Sequence, residues 1–126
     1  MWELNNDRAI YTQLVERIQM DIVSGKYPPG EKLPSVRELA AIASVNPNTM
    51  QKAFSELERN GLIVTQRTSG RNVTDNLDRI AQSRQEMATE QLKLFFKTMK
   101  SLGYSDDEII AFVARSAKSL AQETQR

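Results

Sequence analysis

The residues whose types and spacing suggest chemistry lie at the start of one predicted helix. Asn46-Pro47 is a helix-start signal, because asparagine caps well and proline suits the first helical position. Amides and hydroxyls at such a terminus can meet base edges of DNA, and the helix dipole favours phosphate. An ordinary solvated helix face is the alternative interpretation. No acidic residue interrupts the polar positions that we expect on this outward face, which are Asn46, Asn48, Thr49, Gln51, Lys52 and Ser55.

Arginines near two other predicted turns could add a positively charged surface. Arg37 lies in the first turn of a helix predicted to start at Ser35, and Arg67 and Arg71 flank a polar tip that contains Gly70. A turn with two arginines and a glycine can enter a minor groove or straddle phosphates. The alternatives are a weak surface ion pair with Glu38 or Glu31 for Arg37, and a solvated turn for the other two arginines.

The composition excludes several classes of chemistry. The 126 residues include no cysteine and no histidine, which removes disulfides, Cys/His zinc sites and thiol- or histidine-dependent nucleophiles. The five glycines lie far apart, so a phosphate-cradling loop cannot be built. An enzyme would need a carboxylate pair or a Ser-Lys dyad, yet the acids occupy capping or surface-helix positions. We therefore predict no enzyme, no metal and no cofactor.

Length and charge indicate one ordinary domain, or a small domain with an appendage. The 17 basic and 16 acidic residues give a net charge of +1, so any basic surface must be local. The longest apolar run, 109–114, is far shorter than the ~20 residues of a membrane-spanning helix. The first seven residues carry acids where a signal peptide carries bases. We expect a cytoplasmic protein without a membrane partner.

Hydrophobic spacing and turn signals predict a mainly α fold. Apolar residues four apart predict a first helix, and a Pro-Pro-Gly loop follows it. Ser35 and Glu38 form a predicted capping box, and Asn60-Gly61 ends the third helix. The predicted order is helices over 10–24, from Ser35, and over 46–60, then strands over 62–65 and 72–74. This order is typical of a winged helix-turn-helix.

The part after residue 76 is predicted to be an antiparallel two-helix hairpin. One helix covers 77–102, Gly103 ends it, and a second capping box at Ser105 starts the last helix. We divide the chain into a DNA-binding domain, 1–76, and a dimerisation region, 77–126. Two helices alone cannot cover both of their inward faces, so we predict a homodimer. Its predicted interface is Met87, Leu94, Phe95, Ile109, Phe112, Val113 and Leu120.

Three runs of sequence resemble the winged-helix domain of GntR-family transcription regulators. They are LPSVRELA at 33–40, VNPNTMQKAF at 45–54 and LERNGLI at 57–63. The IYTQL run at 10–14 and the YPPGEKL run at 27–33 are similar to the family's opening helix and loop. The short tail resembles the YtrA-like subfamily, whose members carry a small helical dimerisation hairpin. The likeness covers about the first 73 residues.

The resemblance implies particular contacts with operator DNA. Arg37, Asn48, Thr49 and Gly70 match positions that contact the operator in the family, with Ser35 and Lys52 as phosphate partners. The family's wing tip reads Gly-x-Gly, whereas Thr68 replaces the first glycine here. The full predicted DNA-binding set is Ser35, Arg37, Asn46, Asn48, Thr49, Gln51, Lys52, Arg67, Gly70 and Arg71.

The prediction for the whole chain is a homodimeric transcription regulator, a repressor that binds double-stranded operator DNA with inverted-repeat symmetry. The alternative is a winged-helix protein-interaction module that does not read DNA. No polar cluster in the tail defines a small-molecule effector site.

Overall fold

The computed structural model describes residues 2–67 and 70–124. The predicted helices and strands are present in the predicted order, and the mainly α winged-helix class is confirmed. The elements are α1 Ile10–Val23, α2 Val36–Ala43, α3 Pro47–Arg59, β1 Ile63–Gln66, β2 Gly70–Val73, α4 Leu77–Ser101 and α5 Asp106–Thr124. The first strand begins one residue later than predicted, and the second begins two residues earlier.

The core lies between α1, α2 and α3. Leu14 and Ile18 from α1, Leu39 from α2 and Phe54 from α3 are all fully buried. The spacing of four residues between Leu14 and Ile18 places both on one side of α1, where each buried side chain contributes about 1.5–3 kcal/mol. Ile80, near the start of α4, joins the same core.

Local hydrogen bonds and backbone conformation set where α2 begins and ends. The predicted capping box starts α2: Glu38 N donates to Ser35 Oγ (3.1 Å), and Ser35 N donates to Glu38 Oε1 (3.1 Å). These hydrogen bonds hold the pKa of Glu38 below its usual value. Ser44 ends α2 with φ 58°, a left-handed backbone conformation that residues other than glycine rarely adopt. The chain thus reverses over three residues, 44–46.

The wing has a third segment that the sequence signals do not predict. β1 and β2 pair antiparallel, with Ile63 opposite Val73. On the other edge of β2, residues 30–33 run alongside it: Leu33 N donates to the carbonyl oxygen of Arg71 (2.9 Å), and Val73 N donates to that of Glu31 (2.9 Å). The wing is therefore anchored to the loop that precedes α2.

The chain divides into two compact units, Met1–Gln85 and Glu86–Arg126. In the second unit, α4 and α5 are joined at Gly103, and the predicted capping box of Ser105 and Glu108 is confirmed. Met99 and Ile109, both close to this turn, are its buried apolar residues within the described part of the chain. The assignment of 1–76 to DNA binding and of 77–126 to dimerisation stays a prediction.

The described residues include neither a membrane-spanning helix nor a cluster of metal ligands. No helix among them is long and apolar enough to cross a membrane. In residues 2–67 and 70–124, no group of three or more acidic side chains is placed to hold a metal ion.

The left-handed residue in the turn leads to a stability prediction. We expect Ser44→Gly to raise the free energy of unfolding by about 0.5–1 kcal/mol, because relief of the Cβ clash exceeds glycine's added freedom in the unfolded chain. Urea denaturation followed by circular dichroism measures this change. Ser24→Gly is the control, since Ser24 after α1 has φ −83° and gains no relief. Equal destabilisation by both substitutions would contradict the prediction.

Candidate nucleic-acid interface

The α2 start, α3 and the wing enclose an open groove of about 420 Å³. Five of the residues predicted to bind DNA line it together. Lys32, which adds a positive charge, and the core residue Phe54 also line the groove. The groove thus places three cationic side chains, Lys32, Arg37 and Arg71, along one surface. The five predicted residues are Ser35, Arg37, Gln51, Gly70 and Arg71.

The first turn of α3 presents the predicted base-reading residues at the surface. Asn46 caps the helix, and its Oδ1 accepts a hydrogen bond from Asn48 N (2.8 Å). The side-chain carbonyl of Asn46 is thus occupied, and its amide hydrogens are what it can offer a ligand. Asn48 is exposed and Thr49 is half-buried. Both side chains are thus accessible at the start of α3, the end of the helix that we expect to meet base edges.

Ser35 and Arg37 occupy the start of α2. The hydroxyl oxygen of Ser35 accepts from Glu38 N, which leaves its hydrogen free to be donated to a phosphate oxygen. Arg37 is exposed, and it forms no ion pair with Glu38 or Glu31 within the described residues. Glu38 instead accepts the backbone hydrogen bond of Ser35. The guanidinium of Arg37 is thus available to a ligand.

Lys52 makes a contact that the sequence does not predict. Its Nζ lies 3.9 Å from the centroid of the Tyr11 ring, on the first turn of α1. A cation over an aromatic face is attracted by the ring quadrupole. Lys52 is exposed nonetheless, so its ammonium is held over the Tyr11 ring and still meets solvent.

The wing carries the remaining predicted residues. Arg67 is exposed at the end of β1. Gly70 has φ 80°, and a Cβ there would lie 3.9 Å from Cε of Lys32, so backbone conformation rather than space favours glycine. Arg71 donates from Nε to Glu58 Oε1 (2.6 Å), a partner that the sequence analysis missed. Thr68, the departure from the family's wing tip, lies outside the described residues.

Comparison with known proteins assigns this winged helix to a family. The sequence profile described as "Bacterial regulatory proteins, gntR family" matches residues 10–73, which extend from α1 to the end of β2. The chain belongs to the GntR family. The match covers α1, α2 and α3 with the groove beside them.

Curated GntR-type relatives extend the likeness into the tail. The uncharacterized HTH-type transcriptional regulator YhcF of Bacillus subtilis is 35% identical over 108 residues, which is 86% of this chain and 89% of that protein. The HTH-type transcriptional repressor YtrA of the same organism is 44% identical over 85 residues. That alignment covers 67% of this chain and 65% of YtrA.

Solved GntR structures agree with the fold. A GntR family transcriptional regulator from Listeria monocytogenes superposes with a TM-score of 0.81 and 39% identity, over 89% of this chain and 98% of that one. The DNA-binding domain of AraR, solved with operator ORR3, gives a TM-score of 0.50 and 29% identity over 59% of this chain and 92% of that one. The chain is thus a DNA-binding transcription regulator and not an enzyme. The family assignment favours this function over the alternative of a protein-interaction module that does not read DNA.

The first turn of α3 leads to a prediction about base readout. We expect Asn48→Ala to relax specificity at one base pair per half-site, at a cost of ~1–3 kcal/mol, because an amide at this position is expected to reach a base edge. Lys52→Ala should weaken binding to all sequences similarly and lower the salt slope by about one unit, because Lys52 is expected to contact a phosphate. Fluorescence anisotropy with point-mutated duplexes at several salt concentrations measures both effects.

Lys93→Ala serves as the control for loss of a positive charge, because Lys93 lies on α4 in the second compact unit and pairs with Glu90. Unchanged sequence preference and affinity in Asn48→Ala would reject the assignment of the α3 start to base readout.

Proposed function

We propose that this regulator is a repressor that binds an inverted-repeat operator as a homodimer. The observation that carries the proposal is an apolar face along α4 and α5 that the second compact unit leaves exposed. The proposal joins this face, as the site of self-association, to the groove and the α3 start, as the site of DNA contact.

The exposed face contains large side chains from both helices. Leu94 is 58% exposed, Phe95 38%, Phe112 39% and Leu120 53%. A soluble monomer rarely presents so many apolar side chains on one small unit. Val113 is also exposed, and Met87 is half-buried. The second unit therefore offers a surface that favours a partner.

Ile109 has a different position from the other residues predicted for the dimer interface. Its side chain is fully buried in its own chain, one residue past the capping box that starts α5. Tyr104, before that box, lies beside Phe112 with ring centroids 6.2 Å apart. Ile109 thus helps to hold the turn between α4 and α5 and has no free surface to offer a partner.

A second copy is the occupant that fits this face. A two-fold axis lets the same apolar residues of each copy cover one another, and closed two-fold pairing is the commonest form of soluble oligomer. Such a dimer presents two α3 helices related by the same axis. Because operator symmetry mirrors protein symmetry, the expected operator is an inverted repeat with half-sites one helical turn, or a small multiple of it, apart.

Repression is the regulatory mode supported by the relatives. YtrA of Bacillus subtilis is a transcriptional repressor, and the aligned region covers two thirds of the present chain. In the proposed complex, Asn48 and Thr49 read bases, while Ser35, Arg37 and Lys52 contact phosphates. Arg67, Gly70 and Arg71 place the wing against the backbone, and Asn46 and Gln51 flank the reading residues.

Selection of bound sequences from random duplex DNA tests the operator. The purified full-length protein should enrich an inverted repeat, and DNase footprinting on an enriched duplex should protect both half-sites. Enrichment of single half-sites without symmetry would reject the dimeric mode. Repression is tested separately, by placing the enriched repeat within a reporter promoter and measuring transcription with and without the regulator.

The exposed apolar face leads to a prediction about assembly. We expect Phe112→Asp to give a folded monomer with weakened binding to the full repeat, because the substitution places an unpaired charge in the interface. Multi-angle light scattering measures the mass, and anisotropy compares full and half operators.

Ala114→Asp is the matched control, since it adds the same charge on the other side of α5 and should stay dimeric. A Phe112→Asp protein that remains dimeric and binds the full repeat as the parent does would exclude this interface.

A further inference from the structure

The side chain of Arg71, on the wing, contacts two residues of α3. Its Nε donates to Glu58 Oε1 at 2.6 Å, and its Cζ lies 5.3 Å from the ring centroid of Phe54. Phe54 is fully buried, so its ring is a fixed support. The side chain of Arg71 is 25% exposed, and that of Glu58 is 33% exposed. Two contacts thus restrain a long, flexible side chain at the edge of the groove.

The pairing leaves the guanidinium able to bind a second anion. Of its donors, Nε is occupied by Glu58, and the two terminal nitrogens have no hydrogen-bond partner within the described residues. A guanidinium presents its donors in a planar fork that matches the oxygens of a phosphate. Arg71 lines the groove together with Ser35 and Arg37, both at the start of α2. The free side of the fork therefore belongs to the surface assigned above to phosphate.

We propose that Glu58 is a positioning residue for DNA binding, which holds Arg71 so that its terminal nitrogens meet a backbone phosphate. This inference rests on the proposed function, because it assigns the groove to operator DNA. Glu58 lies on α3 and Arg71 on the wing, so the ion pair joins the helix that reads bases to the strand that contacts the backbone.

The proposal opposes what simple charge counting predicts. A carboxylate close to a DNA-binding surface repels phosphate, so its removal ordinarily strengthens binding. Glu58 could instead order Arg71 before DNA arrives. Without Glu58, the Arg71 side chain would lose its conformational freedom on binding, and this entropy cost would lower the affinity. The sign of the change in affinity separates these two roles.

The chain offers a matched control for this test. Glu56 lies on the same helix, two residues before Glu58, and it pairs with Arg59 through Oε2 at 2.9 Å. Its side chain is 32% exposed, close to the value for Glu58. Glu56→Ala removes the same charge from α3 without touching the wing.

The experiment measures binding of the full-length protein to the duplex most enriched in the random-sequence selection, by anisotropy at several salt concentrations. We expect Glu58→Ala to bind about 3- to 10-fold more weakly, the scale of ordering one long side chain on binding. Glu58→Gln keeps an oxygen that accepts from Nε, so it should bind within about twofold of the parent protein. Glu56→Ala should bind as tightly as the parent protein or more tightly.

A double-mutant cycle separates positioning from a general effect on stability. Arg71→Ala should weaken binding and lower the salt slope by about one unit, because one phosphate contact is lost. In the Arg71→Ala background, Glu58→Ala should cause no further loss of affinity. Thermal unfolding by circular dichroism confirms that each variant is folded.

The inference is overturned if Glu58→Ala binds as tightly as the parent protein or more tightly, or if its loss of affinity persists without Arg71. An unchanged affinity in Arg71→Ala also overturns it. Each of these results leaves the proposed function intact so long as the parent protein enriches an inverted repeat. Failure of the parent protein to enrich any duplex would instead reject the proposed function itself.

Discussion

Burial of one face of α3 is the constraint on which the rest of the DNA-binding unit depends. Met50, Ala53, Phe54 and Leu57 are all fully buried, and together they fix the rotation of α3 about its axis. A rotation by one residue would bring Gln51 toward the core, where an unpartnered amide costs more than packing regains. The polar face of α3 is therefore directed outward, because only one rotation of the helix buries its apolar face in the core.

Several side chains at this surface serve the fold as well as the ligand. Asn46 caps α3, Ser35 caps α2, and both lie where phosphates or bases are expected. A cap fixes its side chain through a backbone hydrogen bond, so the residue is ordered before any ligand arrives. The pairs of Lys52 with Tyr11 and of Arg71 with Glu58 extend the same arrangement to long cationic side chains. Much of the surface is thus ordered by contacts within the protein.

The fold could be predicted from the sequence because its signals are local. A capping box, an Asn-Pro helix start and a glycine after a helix each act within a few residues, and the structure has them at Ser35, Asn46 and Gly103. The exposed position of the polar residues at the α3 start could be predicted for the same reason.

The contacts that escaped prediction join distant parts of the chain. Residues 30–33 pair with β2, Lys52 meets the ring of Tyr11, and Arg79 of α4 donates to the carbonyl oxygen of Asn60 (2.6 Å) at the end of α3. No short motif encodes such pairs, because each partner is set by packing of the whole unit. Ile109 shows the same limit, since helical spacing places it on an apolar face but does not predict that its own chain buries it.

The pairing of the wing with the loop before α2 has a consequence for folding kinetics. Asn72 Nδ2 donates to the carbonyl oxygen of Gly30, and these two residues are 42 positions apart in the chain. Closing so long a loop costs entropy that the helices, built from local contacts, do not incur. We expect the wing to form after the three helices have packed. Contacts made late alter the rate of unfolding more than the rate of folding. We therefore expect the wing to govern how long the folded unit persists, and the helices to govern how quickly it forms.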